Sequence, residues 1–354
     1  MEDRTYIRPA GILHGGDAAH ALRHGLAGPL AGGPVAFTLA EVSHRCAGTG
    51  EISRRWMAWP QLAERAAEDA ALAAIVERIT APRSPIAGLD WRRPAIMGIV
   101  NATPDSFSDG GLHATAQAAI AHGRALAAVG ADILDVGGES TRPGAAEVPV
   151  EEELERVVPV IEALAGEGFT VSVDTRKPPV MEAAAAAGAA LINDVSALSH
   201  APDSAARAAA TGLPVVLMHA LDTPERMQDA PAYEDAPRDI FDALEAAMNR
   251  AEAAGIARRM LIVDPGIGFG KTLEHNLALM DELALFHGLG APLLLGASRK
   301  RFIGEITGVD APAQRLAGSL AAALAAAAAG AGIVRVHDVA QTRQALEMMR
   351  AMKH

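Results

Sequence analysis

Asp174, Asn193, Asp264 and Lys300 each follow a short apolar run, and their types suit one task. Brought to one cavity, two carboxylates, an amide and an ammonium fit a flat heterocycle with several N–H donors and a carbonyl. Charge-assisted bonds to a planar edge give both energy and orientation. A second group, Asn101, Thr141, Arg335 and His337, suits a phosphate clamp. The cations offset the phosphate charge, and the asparagine oxygen serves as one ligand of a hydrated Mg²⁺. In Arg335-Val336-His337 the alternation of a strand puts both polar side chains on one face. The same acids also fit a set of structural ion pairs or a two-carboxylate glycosidase. Against the glycosidase, the last tryptophan is Trp91, so no indole platform for a sugar lies beyond it.

These groups converge only if the elements carrying them end in one place. From Ala95 onward, short β-type runs alternate with Ala-rich helical stretches. Strands are predicted at 95–101, 133–138, 170–175, 191–196, 214–219, 260–266, 292–298 and 332–338. Helices are predicted near 115–129, 151–165, 177–187, 203–211, 238–254, 274–286, 312–329 and 340–352. Eight strand-then-helix units in about 260 residues predict a (β/α)8 TIM barrel, an α/β fold whose active site lies at the C-terminal strand ends. A doubly wound open sheet is the alternative, but it requires no count of eight. At successive predicted strand ends stand Asn101; Asp135 with Glu139, Thr141 and Arg142; Asp174; Asn193; His219; Asp264; Ser298 with Lys300; and Arg335 with His337. Thr175, Asp194 and Asp338 are the positions where capping or turn formation is the simpler reading.

Two stretches carry loops. Residues 96–111, IMGIVNATPDSFSDGG, run from an apolar strand into a polar, glycine-closed loop, an arrangement in which a rigid root presents a ligand-binding segment. Residues 264–271, DPGIGFGK, imitate a phosphate loop but fail the GxxxxGK[ST] spacing. Their glycines let the backbone pass close to a flat ligand, with Phe269 to stack and Asp264 to accept paired N–H bonds.

The 354-residue chain is half hydrophobic and carries a net charge of −12, which excludes a general nucleic-acid or anionic-membrane binder. Arg142, Lys271, Arg299, Lys300, Arg301 and Arg335 at loop-like positions instead suggest a local site for a small anion. One cysteine, Cys46, excludes an intrachain disulfide and a cysteine-based metal cluster. With no Sec-type signal visible, a cytoplasmic location is expected. The apolar run at 316–334 is almost wholly Ala and Gly, so a buried helix leading into a strand is expected there, not a membrane span. Residues 1–90 read as a small α/β cap or extension, a structural cap or an oligomer contact, with helices at 17–26 and 60–80, a strand at 35–42, and a Pro/Gly-bearing linker at 81–94. Residues 91–354 make the catalytic domain.

Taken together, IMGIVNATPDSFSDGG, ILDVGGESTRPGA, VSVDTRK, INDVSAL, LMH, DPGIGFGKT, GASRKRFIG and RVHDV resemble the dihydropteroate synthase family of pterin-binding TIM barrels, in order from Ala95 to the C-terminus. The resemblance implies condensation of 6-hydroxymethyl-7,8-dihydropterin diphosphate with 4-aminobenzoate, giving 7,8-dihydropteroate and pyrophosphate. It implies that Asp174, Asn193, Asp264 and Lys300 hold the pterin with Asp135 close by. Asn101, Thr141, Arg335 and His337 would hold the diphosphate and its Mg²⁺. The loops 102–111 and 139–145, the latter with Arg142, would shape an aminobenzoate pocket with Pro143, Phe269, Lys300 and Arg301. It further implies a homodimer, formed through late barrel helices, and a target for sulfonamides. Arg301 departs from the serine common in the family, Ala102 from valine, and the residues after His219 from the expected Met and Gly. A corrinoid-linked pterin-binding methyltransferase would explain Asp174, Asn193 and Asp264. It would not explain the Ser-Arg-Lys block, the Arg335/His337 pair or the ESTRPG loop. A non-catalytic pterin-binding protein is the remaining alternative.

Overall fold

The computed structural model describes residues 3–103, 111–140, 147–221 and 231–352. The chain opens with β1 (Arg4–Leu13), α1 (Gly15–Arg23), β2 (Gly28–Pro29), β3 (Ala36–Arg45), β4 (Ile52–Ala58), α2 (Trp59–Glu68) and α3 (Ala70–Thr80). β3 is the centre of an antiparallel sheet, paired to β1 on one edge and to β2 and β4 on the other. Strand alternation divides its faces. Ile7, Ala40, Val42 and Met57 pack against Leu62, Leu72, Ile75 and Ile79 of α2 and α3. Tyr6, Arg8, Glu41, Ser43 and Arg45 lie on the other face, toward the barrel.

Two details differ from the sequence expectation. The helix expected over 60–80 breaks at Asp69, which is extended and whose carboxylate accepts the Ala71 and Leu72 N–H groups, capping α3. Strands β1 and β4 also form where none was expected. β4 is exposed at four successive positions, Ser53, Arg54, Arg55 and Trp56, which hides its alternation.

The remainder follows the predicted order: β5 (Ala95–Asn101), α4 (Gly111–Ala128), β6 (Ile133–Gly137), α5 (Val150–Gly166), β7 (Val171–Asp174), α6 (Pro178–Ala186), β8 (Leu191–Asp194) and α7 (Ser204–Thr211). It continues through β9 (Val215–Met218), α8 (Ala236–Ala253), β10 (Leu261–Asp264), α9 (Leu273–Asp281), β11 (Leu294–Leu295), α10 (Arg301–Thr307), α11 (Leu316–Ala328), β12 (Ile333–Val336) and α12 (Val339–Met352). The eight parallel strands run in the order β10-β9-β8-β7-β6-β5-β12-β11. A bridge from Val263 to Leu293, with the Val263 N–H donating to the Pro292 carbonyl at 3.0 Å, joins the two ends into a closed barrel. The run at 316–334 divides into α11 and β12 as expected. Among the described residues no helix is long and apolar enough to cross a membrane.

Inside the barrel, Met97, Ile133, Leu191, Val216, Ile262, Leu294 and Ile333 form one apolar layer. The segment expected as a linker does more than connect. Ile86, Leu89 and Trp91 pack against that layer and seal the N-terminal end of the barrel. Polar chemistry is thereby confined to the opposite, C-terminal mouth.

Candidate active site

Strand parity decides which side chains reach the mouth. Two residues beyond the apolar layer, on the same inward face, come Asp135, Asn193, Asp264 and Arg335, joined by Asp174 from β7. Residues of opposite parity serve the scaffold. Asp194 accepts the N–H groups of Ser196 and Leu198 and so shapes its own turn. Thr175 donates to buried Glu153. Asp338 pairs with Arg299, whose backbone sits at φ +60°. For Thr175 and Asp194 turn formation is the reading that holds, while the side chain of Asp338 is engaged in its ion pair with Arg299.

Arg335 is the hub. Its Nε lies 2.6 Å from Asp135 Oδ2, and its Nη2 lies 2.7 Å from Asp174 Oδ2. Asn193 Nδ2 donates to the same Asp135 oxygen at 3.0 Å. The carboxylates hold the guanidinium more firmly protonated, while burial pushes the Asp174 carboxyl upward against the pull of Arg335. Asp135 Oδ1, Asp174 Oδ1 and Ser172 Oγ are buried without a protein partner. Buried orphans of this kind are uncommon, and the two carboxylate oxygens are acceptors for donors the protein does not supply. Ser172 was not expected from the sequence, although its parity with Asp174 marks it.

Across the mouth, Asp264 Oδ1 accepts the Gly266 N–H at 2.7 Å, and burial raises its carboxyl against Lys300. Lys300 Nζ donates to the Ile267 carbonyl and stands 4.4 Å from the Phe269 ring centre, a cation–π contact. Burial lowers its ammonium to about 8. Gly266 is required here. Its φ is +68°, and a Cβ would stand 1.9 Å from the His219 carbonyl oxygen.

His337 Nδ1 lies 3.0 Å from Ser298 Oγ, on the same strand face as Arg335. Asn101 ends β5, half-buried and in register with Gly137. The structure therefore gathers Asp135, Asp174, Asn193, Asp264, Phe269, Lys300, Arg335 and His337 at the mouth, with Asn101 on its rim. Arg301 does not join them. It opens α10, its side chain is 87% exposed, and its Nε pairs with Glu305 at 2.7 Å. Thr141, Arg142 and Pro143 lie outside the described residues, as do most of the loops 102–111 and 139–145.

Two further groups differ from the sequence expectation: Lys271, expected among the cations for a small anion, and the pair Arg176 and Lys177, which was not singled out. Lys271 is buried with neutral partners, donating to the Phe269 carbonyl at 2.8 Å and lying 3.1 Å from His219 Nδ1. Burial lowers its ammonium well below the usual range, and burial beside Lys271 lowers His219 to about 3. Arg176 and Lys177 both pair with Glu139, and Lys177 also with Glu153. The signal was present in VDTRK, where two adjacent cations stand two and three positions after a site aspartate.

A family model described as pterin binding enzyme matches residues 97–337. Dihydropteroate synthase of Escherichia coli K12 is 51% identical over 265 residues, which is 74% of this chain and 93% of that protein. Dihydropteroate synthase of Xanthomonas albilineans with 4-aminobenzoic acid superposes with a TM-score of 0.72 at 53% identity, covering 77% of this chain and 98% of that one. The Xanthomonas albilineans enzyme in complex with 7,8-dihydropteroate gives 0.69 at 50% identity, covering 77% and 99%.

Proposed function

From the premise that the chain belongs to the dihydropteroate synthase family of pterin-binding enzymes, we propose how its residues divide the family's reaction. The enzyme is a transferase that condenses 6-hydroxymethyl-7,8-dihydropterin diphosphate with 4-aminobenzoate, giving 7,8-dihydropteroate and pyrophosphate. The observation that carries the division of labour is the inward ring of Asp135, Asp174, Asn193, Asp264, Lys300 and Arg335 at one barrel mouth, with unpaired acceptors on two of its acids.

The orphan oxygens of Asp135 and Asp174 are acceptors for pterin N–H groups, and Asn193 fixes the orientation of Asp135. Asp264 accepts further N–H bonds, while Lys300 donates to the pterin carbonyl and packs on Phe269. Arg335, held by both carboxylates, and His337 on the same face offset the charge that develops on the departing diphosphate. The electron-rich ring bears the cationic CH₂ left behind, with Asp174 and Asp135 beside it. An arylamine is already neutral at pH 7, so its attack needs no strong general base. Thr141 is assigned to the diphosphate side, and Arg142 and Pro143 to the aminobenzoate pocket. Arg301, one position beyond Lys300, would approach the aminobenzoate carboxylate by leaving Glu305.

Among the described residues no three His, Cys, Asp or Glu converge as a metal cage. Asn101 offers a single hard oxygen. That suits Mg²⁺, which keeps several waters and is held mainly by substrate phosphates. Bound there, Mg²⁺ supplies charge neutralisation at the diphosphate.

The same reading makes residues 1–90 a cap and 91–354 the catalytic domain. It places the protein in the cytoplasm and makes it a homodimer, whose contact would use the small residues of α11. It also makes the aminobenzoate site a target for sulfonamides. The deciding experiment measures pyrophosphate release from the pterin diphosphate and Mg²⁺, with and without 4-aminobenzoate. Release that depends on aminobenzoate and forms dihydropteroate is expected. Pterin binding with no release would defeat the assignment.

A further inference from the structure

The loop 266–270 places glycine at three left-handed positions, Gly266, Gly268 and Gly270. Glycine adopts many conformations, so the shape of this loop must be imposed by bonds from its surroundings. Four come from the barrel: Asp264 to the Gly266 N–H, Lys300 to the Ile267 carbonyl, Asn276 Oδ1 to the Gly268 N–H and Lys271 to the Phe269 carbonyl. The fifth comes from Tyr233, whose hydroxyl donates to the Gly270 carbonyl at 2.9 Å and whose ring meets His275 edge-on at 4.9 Å.

Tyr233 stands just before α8, and what holds it there leads out of the barrel. The next two backbone N–H groups, of Glu234 and Asp235, donate to one oxygen of Asp239 at 2.9 and 3.1 Å. The other oxygen of Asp239 accepts from Arg45 Nη2 at 2.6 Å. Arg45 belongs to β3 and is 6% exposed. Arg54 of β4 reaches Asp235 at 2.8 Å beside it.

We propose that the N-terminal sheet sets the shape of the substrate loop, with Arg45 as a positioning residue acting through Asp239 and Tyr233 on the Gly270 carbonyl. This rests on the reading of 264–271 as the pterin-binding loop. Asp239 is well placed to transmit, because one carboxylate joins a side chain of the cap to the two peptide groups that follow Tyr233. Residues 1–90 thereby become part of the enzyme's substrate recognition without touching substrate.

The test is a double-mutant cycle in the full-length enzyme with Arg45→Met and Tyr233→Phe, following KM for the pterin diphosphate, kcat and the melting temperature. Each single variant should raise that KM by about five-fold with kcat within about two-fold, a size typical of coupling through a packed network. The double variant should be no worse than the worse single, and Arg45→Lys should recover part of the loss. A lowered melting temperature with unchanged KM would make Arg45 merely structural, and effects that multiply would show two independent contributions. Either result overturns the proposal. Asp264→Asn separates the levels. If it raises the pterin KM while the cycle does not, only the relay fails; if it too leaves KM unmoved, the reading of the loop fails with it.

Discussion

Arg335 reaches two carboxylates that lie 200 and 161 positions away in the chain, so its ion pairs could not be read from sequence, although its place at a strand end could. The structure adds that the proposed diphosphate cation is held by the same acids that are proposed to face the pterin. Removing it therefore has two consequences. Arg335→Ala should cost on the order of 2–4 kcal/mol in transition-state stabilisation, by analogy with the loss of an oxyanion donor. It should also lower the unfolding free energy, because Asp135 and Asp174 are left buried without a counter-ion. Single-turnover rates and denaturant unfolding measure the two separately, and an unchanged rate would remove Arg335 from the diphosphate clamp. Lys300 makes a second case. Its ammonium titrates near 8 in the folded chain, below its unfolded value, so the charged donor is lost as pH rises through 8. We expect kcat/KM for the pterin diphosphate to fall above about pH 8. Stability should not fall with it on this account: between the folded and unfolded values the unfolded chain binds more protons at this site, so the contribution of Lys300 to stability rises with pH. Lys300→Arg, charged throughout, should flatten the fall. A fall of the same shape in that variant would assign it to another group. Arg301 marks the limit of residue-by-residue reading, since its i,i+4 pairing with Glu305 was present in the sequence yet the resemblance placed it over the substrate.

Elements were legible where burial is symmetric around them. The barrel strands are buried on both sides, so each reads as a short apolar run, and the inward polar residues near their ends belong to the mouth, while Asp194 of β8 shapes its own turn. The helix expected over 274–286 divides into α9 and a 3₁₀ segment, Leu283–Leu289, which is buried on every side and so has no amphipathic period to read. α10 was not expected at all. It is seven residues long, too short for a period to register. In the glycine loop the types were legible and their reason was not, because the oxygen that excludes a side chain at Gly266 belongs to His219, 47 positions earlier. Gly266→Ala places a non-glycine residue at φ +68° and drives its Cβ into that carbonyl. The left-handed conformation alone costs about 1–3 kcal/mol, and relief of the overlap must move the loop that carries Phe269. We expect a lower unfolding midpoint together with a raised KM for the pterin diphosphate. A destabilised variant that keeps its KM would show that the loop's position does not govern binding.

At the scale of the whole molecule, a chain of net charge −12 uses its arginines to join its two parts. α8 and its N-cap present Asp235, Asp239, Asp242 and Glu245 toward the first sheet, Asp235 being the cap, and Arg4, Arg45 and Arg54 meet them. At the centre Arg238 is fully buried. It donates to Ser43 and Glu41 of β3 and pairs with Asp235 and with Glu282, which lies between α9 and the 3₁₀ segment. This docking was invisible in the sequence, where residues 1–90 read as a small α/β unit with nothing to say what it packs on, because each partner lies nearly 200 residues from the other. A buried guanidinium that spans both parts makes their separation costly, since parting them strands charge on each side. The cap and barrel should therefore unfold together. Arg238→Met keeps much of the volume but leaves Glu41, Asp235 and Glu282 without their shared cation; Glu41 and Asp235 retain Arg54, and Glu41 and Glu282 retain Arg8. Those remaining partners place the expected loss at the lower end of the range for broken buried pairs, about 3 kcal/mol. Circular dichroism should show one transition in the parent chain and, in the variant, one transition at lower denaturant. A variant that unfolds in two steps, with the barrel's transition unmoved, would show instead that the cap is carried by the barrel without supporting it.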